Sequence, residues 1–325
     1  MIRILTCLLF IQTQLLAQTD SNFISQHPYD ASLYSYLTSK INTIEYYTVK
    51  SKYTLRYQPN SLGSFGIGGS YKWVDLSLGL LSYGKQDNNK YGTTTRFDVQ
   101  SHLYPRKFIF DIFFQLYNGF YSVNKEIIPK GAKSYYRNDI GMSQLGINII
   151  RILNYEQFST KAAFSQSEIQ RKKAGSWAVG TKFNIFGINS DSSLLAQNID
   201  SLYLSDYRIK QFSVLQIGIL GGYLYNWLYK NWLFNVSAMA GLASQLQFKE
   251  LSSQIGKIYP HSTIGGIVNV RFGIGYNKER SYFYVSASSD NCNYPLSSDY
   301  QLKHTFGRID VCYGYRLLKT KNTKY

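Results

Sequence analysis

The feature that most constrains this chain is a strict period of two, recurring over unusually long segments. From Lys107 to Tyr121 the even positions are Phe108, Phe110, Ile112, Phe114, Leu116, Asn118 and Phe120, while the odd ones include Lys107, Asp111, Gln115 and Gly119. Successive side chains of a strand point to opposite faces, so this is a strand with one greasy and one polar face. Thr263–Asn277 and Trp232–Phe248 repeat the pattern, and shorter matches fall at 53–57, 74–80, 95–104, 158–168, 177–185, 283–290 and 304–317. Several of these exceed the roughly 5–6 residues of an ordinary strand and reach the about 9–11 that a tilted membrane strand needs.

Composition removes the competing classes. With 44% hydrophobic residues the chain can bury a core and is not disordered, and 3 Cys in 325 residues do not make a disulfide scaffold. Abundant Tyr, Gly and Ser argue against a coiled coil. Residues 1–17, MIRILTCLLFIQTQLLA, read as a secretory signal peptide: Arg3, an apolar stretch from Ile4 to Leu16, then the small Ala17. No later segment offers 18 uninterrupted apolar residues, and only helices and closed barrels satisfy every backbone group in lipid. The exported chain is therefore either soluble or a barrel. A soluble β-barrel would be greasy inside. Here the polar face is rich in Gly, Ser, Asn and Gln with charges among them, which suits a polar lumen and a lipid-facing exterior.

The fold expected is all-β, a closed antiparallel transmembrane β-barrel of 12–14 strands. Residues 18–43 read as an N-terminal periplasmic segment, 44–318 as the barrel and 319–325 as a polar tail. Short turns fall at Pro105–Arg106, Asn154–Tyr155, Tyr229–Asn231 and Lys278–Arg280, and long loops at 84–92, 122–138, 249–262 and 291–302. Bacterial barrels keep short turns on the periplasmic side and long loops outside. The alternation slips between residues 156 and 228. An extra strand near Ser201–Ile209, with 64–83 split at Lys72–Trp73, repairs it and favours 14. A two-residue turn at 105–106 would pair residues summing to 211, setting Asp111 opposite Gln100 and diagonal to Asp98 and His102.

The stretch FSQSEIQRKKAGSW at 164–177 resembles the hallmark of an uncharacterised Bacteroidota family of exported, outer-membrane β-barrel-like proteins, a domain of unknown function. RYQPN at 56–60 with GSFGIGGSYK at 63–72, and FIFDIFFQLYNGFY at 108–121, are similar to it too. The resemblance spans roughly Ile44 to Leu317. It implies a barrel-like fold and no catalytic residue to carry over. The polar KTKNTKY tail departs from the terminal aromatic strand of outer-membrane barrels.

The inferred lumen face carries Arg56, Asp75, Arg96, Asp98, His102, Lys107, Asp111, Arg271, Arg308, Asp310 and Arg316. Closure would bring Arg308 and Asp310 near Arg56. Three readings are open: an ion-paired belt filling a narrow barrel, an Arg-rich constriction selecting anionic or zwitterionic solutes, and a His102–Asp98–Asp111 metal site or general base. No catalytic motif occurs, Ser101 and His102 point to opposite faces, and no cofactor is implied. His27, His261 and His304 read as surface residues. Cys292 and Cys312 lie too far apart to bridge and are expected as free thiols. The basic run Arg171–Lys173 falls in an inferred outer loop, where it could meet lipopolysaccharide phosphates. Outer-membrane lipid is the partner expected, and nucleic acid is not. Three functions follow: a non-enzymatic outer-membrane barrel serving as narrow channel, structural or surface-binding element; a lipid-modifying enzyme on the same barrel; or a soluble periplasmic β-protein binding an apolar ligand.

Overall fold

A computed structural model describes residues 19–48, 54–60, 63–71, 74–83, 87–128, 130–195, 208–251 and 256–317. The expected leader (1–17), the tail (319–325) and nearly all of the expected strand at 201–209 lie outside them. The strands are β1 (Ile24–Gln26), β2 (Ala31–Thr48), β3 (Thr54–Tyr57), β4 (Gly63–Tyr71), β5 (Val74–Tyr83), β6 (Thr95–Leu103), β7 (Phe108–Ser122), β8 (Tyr135–Ile152), β9 (Glu168–Gln170), β10 (Ala174–Asn189), β11 (Ile209–Tyr229), β12 (Trp232–Leu251), β13 (Ile258–Asn277), β14 (Ser281–Pro295) and β15 (Tyr300–Arg316). Two one-turn helices, α1 (Asn88–Tyr91) and α2 (Thr160–Phe164), interrupt them. No helix among the described residues is long and apolar enough to cross a membrane.

Thirteen strands form one antiparallel sheet in the order β5-β4-β2-β15-β14-β13-β12-β11-β10-β8-β7-β6, with β3 on β2. The sheet curls so that β6 and β7, at one edge, come against β2, β15 and the residue after β3. Lys40 of β2 donates from Nζ to an Asp98 carboxylate oxygen of β6 at 2.9 Å and to the Asp98 carbonyl at 2.5 Å. Arg308 of β15 donates to the Gln100 carbonyl at 3.1 Å, and Gln58, just after β3, bridges Tyr121 of β7. Among the described residues no ladder joins the edge strands β5 and β6. At this seam the contacts of β6 and β7 with β2, β15 and Gln58 are side-chain bonds and one isolated backbone bridge, not a continuous ladder.

The polarity is inverted relative to a soluble protein. On the convex face Trp177, Ile219 and Leu242 are 65%, 71% and 62% exposed, with Val179, Phe183, Ile185, Leu215, Val236 and Val270 beside them. On the concave face Gln115, Gln144, Asn148, Lys182, Asn184, Gln216, Gln245, Asn269 and Arg271 are all buried. The exposed apolar run on β10 extends from Trp177 to Ile185, a length suited to a tilted crossing. Towards the long-loop end the interior turns apolar, with Tyr57, Phe120, Ile140, Phe186, Phe212, Tyr294 and Leu302 packed together.

Several sequence expectations change. The sheet reaches further toward the amino terminus than residue 44: β2 begins at Ala31 and pairs with β15 throughout. Its outward Ser35, Ser39 and Thr43 against inward Tyr34 and Tyr36 blur the polar–apolar contrast. Residues 158–168 alternate but are not a strand. Ser159 Oγ accepts from Ala162 N at 3.0 Å and caps α2, whose Ala162, Ala163 and Phe164 are buried. Without that strand β8, β10 and β11 follow as antiparallel neighbours, so the succession of chain ends no longer asks for an extra strand near 201–209, although the 153–173 connection at the short-turn end is itself long. The split at 72–73 holds, because β4 and β5 pair as a hairpin. Strands also extend into two expected loops: β12 and β13 occupy most of 249–262, and β14 runs to Pro295. At Gly119 (φ +88°) a bulge inverts parity, so Phe120 turns inward although its even number places it on the greasy face.

Candidate functional site

The β6–β7 connection sets the first part of the site. It spans Tyr104–Lys107, with Phe108 N donating to Pro105 O at 3.0 Å. Opposed residues therefore sum to 213, not 211, and His102 faces Asp111 directly while Gln100 faces Phe113. The longer turn preserves parity, so the inward set is unchanged. His102 Nδ1 and Asp111 Oδ1 are 2.7 Å apart. From β13, across the interior, Arg271 Nη2 donates to the other Asp111 oxygen. Asp111 and Arg271 are 1% and 2% exposed.

Asn148 of β8 ties this pair to a second one. Its Nδ2 donates to Asp111 at 3.3 Å and to Asp290 of β14 at 3.1 Å. Asp290 also accepts from Lys182 Nζ of β10 at 2.8 Å and from Asn269 Nδ2 at 2.9 Å. Lys182 lies over the rings of Phe113 and Phe306 at 5.1 and 5.2 Å. Asn148–Asp111 and Asn269–Asp290 join neighbouring strands, whereas the Arg271–Asp111, Asn148–Asp290 and Lys182–Asp290 bonds run between strands on opposite walls, as do the 4.7 Å contact of Phe113 with Phe306 and the 5.3 Å stack of Phe186 on Tyr294. The interior at this depth is thus crossed by side chains.

A third cluster sits at the seam. Asp98 accepts from Lys40, from Gln115 Nε2 at 2.9 Å and from the Tyr117 hydroxyl at 2.5 Å. Arg308 and Asp310 make a two-point pair, both bonds 2.7 Å. Arg96 shares the inward parity of Asp98. Arg56 does not belong here: it lies opposite Glu45 on the outward face of β3, with its Nε 2.7 Å from the carboxylate, and far along the barrel from Arg308. β3 is short and displaced, so its parity could not be inferred from the neighbouring strands. Asp75 is opposite Ser70 in β5, and its side chain lies outside the described part. Among the described residues no group of three or more His, Cys, Asp or Glu could hold a metal.

The mouth at the short-turn end is covered by residues 154–170. β9 pairs with β1, and Glu168 accepts from Arg106 Nη2 at 2.5 Å and from Ser159 Oγ at 2.6 Å. Gln166, at φ +53°, accepts at its carbonyl from Arg316 Nη2 at 2.8 Å. The FSQSEIQ segment is this cover. Lys107 lies at this end, over the Tyr155 ring at 4.8 Å. The Arg171–Lys173 run follows β9, so it sits with the short turns and not in a long loop.

Sequence reasoning missed Lys40, Lys182 and Asp290. Lys40 lay in a segment not read as barrel, Lys182 was a single charge in an apolar strand, and Asp290 stood next to a supposed loop. His304 was misread as a surface residue. It is fully buried, 4.5 Å from the Phe186 ring and 3.2 Å from Asn42 Oδ1. His261 is exposed as expected. Cys292 and Cys312 are buried thiols not joined in a disulfide. Cys312 lies opposite Tyr284, eight residues (292 − 284) along β14 from Cys292.

A family model described as a domain of unknown function, DUF4421, matches residues 18–317. No curated protein matches the chain. Among solved structures, the outer membrane protease OmpT from Escherichia coli aligns at 9% identity and a TM-score of 0.37, covering 90% of this chain and 98% of that one. The P. putida toluene transporter TodX aligns at 6% identity and 0.23, covering 89% and 90%. A loop-deletion form of OmpT, an outer membrane protein of Vibrio cholerae, aligns at 8% and 0.25, covering 87% and 98%.

Proposed function

The chain belongs to the DUF4421 family of unknown function, and from that premise we propose that it is a non-enzymatic outer-membrane β-barrel with an occluded lumen, serving as a structural or surface-binding element. The inverted polarity supports the membrane: a convex face of exposed Trp, Ile, Leu and Val around an interior of buried amides and charges is costly in water and favourable in lipid. The barrel is proposed to close at the seam through Lys40, Arg308 and the Gln58–Tyr121 bridge, with short turns toward the periplasm.

The observation that carries occlusion is the Arg271–Asp111–Asn148–Asp290–Lys182 network, which links β13 and β14 on one wall to β7, β8 and β10 on the other. An ion-selective constriction leaves its charges facing a path; here they face each other. In planar bilayers the protein is expected to give no resolved single-channel steps. Steady conductance from the wild type would overturn occlusion. Release from membranes by an alkaline or urea wash would overturn the membrane reading.

One observation favours a second reading, a lipid-modifying enzyme. His102 is oriented by Asp111 through Nδ1, and its Nε2 is buried without a partner, the arrangement of a general base. Against it, Arg271 shares that carboxylate and Ser101 points to the other face. Under this reading the wild type shows a lipase or acyltransferase activity that His102→Ala abolishes, whereas under the first no such activity is found.

A further inference from the structure

An apolar groove of about 630 Å³ runs along the outer wall across β15, β2, β4 and β5. Its walls are Tyr313 and Tyr315 on one side and Ile67 and Leu78 on the other. The middle is low because the strands place small residues there: Ser35 pairs with Tyr313 and Ile67, and Gly69 pairs with Leu33. A Cβ at Gly69 would lie 3.1 Å from Leu33 Cδ2, so a larger residue would begin to fill the depression. Leu33, Ile67, Leu78 and Tyr313 are each at least half exposed.

A cation stands at one end of this groove. Arg280 is in the β13–β14 turn, next to Ser281, which pairs with Tyr315. Its exposed guanidinium lies within electrostatic reach of Tyr315 and Tyr29. The nearby carboxylate, Glu279, accepts from Tyr29 at 3.1 Å, and exposed Lys278 adds a second positive charge over the Tyr276 ring. A planar guanidinium fork matches a phosphate, and tyrosines with one wet and one greasy end mark the level of lipid headgroups.

We propose that this groove is a phospholipid site: an acyl chain lies between Tyr313/Tyr315 and Ile67/Leu78, and Arg280 holds the phosphate. The site rests on the outer-membrane reading with short turns toward the periplasm, which makes the ligand an inner-leaflet phospholipid. In a bilayer an acyl chain gains little from apolar contact alone, since lipid tails are as apolar as the wall. Selectivity therefore comes from the shape of the depression and from the charge at its mouth.

The test is native mass spectrometry of the full chain extracted in mild detergent from liposomes of phosphatidylethanolamine and phosphatidylglycerol. The expected result is one retained phospholipid per chain. Arg280→Gln, on an exposed turn, is expected to lower the retained fraction about tenfold, the scale of one charge-assisted contact. Ser35→Trp is expected to abolish it, while Ile219→Trp on the β11 wall leaves it unchanged. No retained lipid, or equal retention in wild type, Arg280→Gln and Ser35→Trp, overturns the site. A protein that stays in membranes through an alkaline wash yet retains no lipid defeats this proposal alone; one that washes off defeats the membrane reading beneath it.

Discussion

Removing the Lys182 ammonium is the sharpest perturbation the lumen offers. Lys182 is 2% exposed, 2.8 Å from Asp290, and lies over two phenyl rings. Lys182→Met keeps most of the side-chain volume and deletes the charge. Asp290 then remains buried with only the Asn148 and Asn269 amides as donors. Breaking a buried pair from one side costs about 3–5 kcal/mol, and desolvated cation–ring contacts worth up to about 2 kcal/mol put this site in the upper half. Asp290→Asn alone strands the ammonium in the same way. The double variant leaves neither charge unpaired and should cost less than the two singles together, with a coupling energy of about 2–3 kcal/mol. Guanidinium unfolding in detergent micelles, followed by tryptophan fluorescence, measures all four corners, since Trp177, Trp227 and Trp232 sit on the outer face. If the single costs add to the double within about 0.5 kcal/mol, the two groups do not form a buried pair across the lumen and the occlusion argument fails.

Two further perturbations address the seam side and the cover. Gly119→Val places a β-branched residue at φ +88°, with its Cβ 2.3 Å from the Thr93 carbonyl oxygen; it should cost at least about 2 kcal/mol in the same unfolding assay, and a neutral result would mean the bulge is not held. His27 Nε2 is buried without a partner, and burial, then the Arg316 charge, pushes its pKa down from 6.5 to about 3. The unfolded segment thus takes up protons first, so stability present above pH 6.5 is lost as pH falls towards 3. By pH 5 the loss should reach about 1 kcal/mol after discounting for partial solvent exposure. Amide exchange of β1 and β9 should accelerate accordingly, and His27→Leu should remove the pH dependence.

The strands whose two faces differ in polarity were legible. In β7, β12 and β13 apolar and polar residues alternate so cleanly that both the strand and its inward face follow from parity; Asp111 and Arg271 lie on such inward faces, and Asp98 and His102 in β6 and Arg308 and Asp310 in β15 also face inward. Elements where local geometry overrides alternation were not. The α2 segment alternates, yet Ser159 caps a helical turn there. Gly119 inserts one residue and reverses every face beyond it. The partners across the lumen were out of reach for a different reason: parity says which way a side chain points, but the strand that faces it across the interior depends on curvature and register over the whole sheet. That is why Asp111 was seen while its bond to Arg271, 160 positions later, was not.

The pairing of β2 with β15 has a kinetic consequence. The ladder joins Thr48 to Tyr300 and Ser32 to Arg316, so residues far apart in sequence must find each other before the sheet is complete. No part of that ladder can form until β15 itself is available. Contacts this distant in sequence carry the largest loop-closure cost and slow folding. Meanwhile β2 and β14 would each present an unpaired edge, a state prone to wrong pairing. Pairing of β15 is therefore the step that commits the sheet, and a truncation before Tyr300 should leave an aggregating chain in place of a smaller sheet.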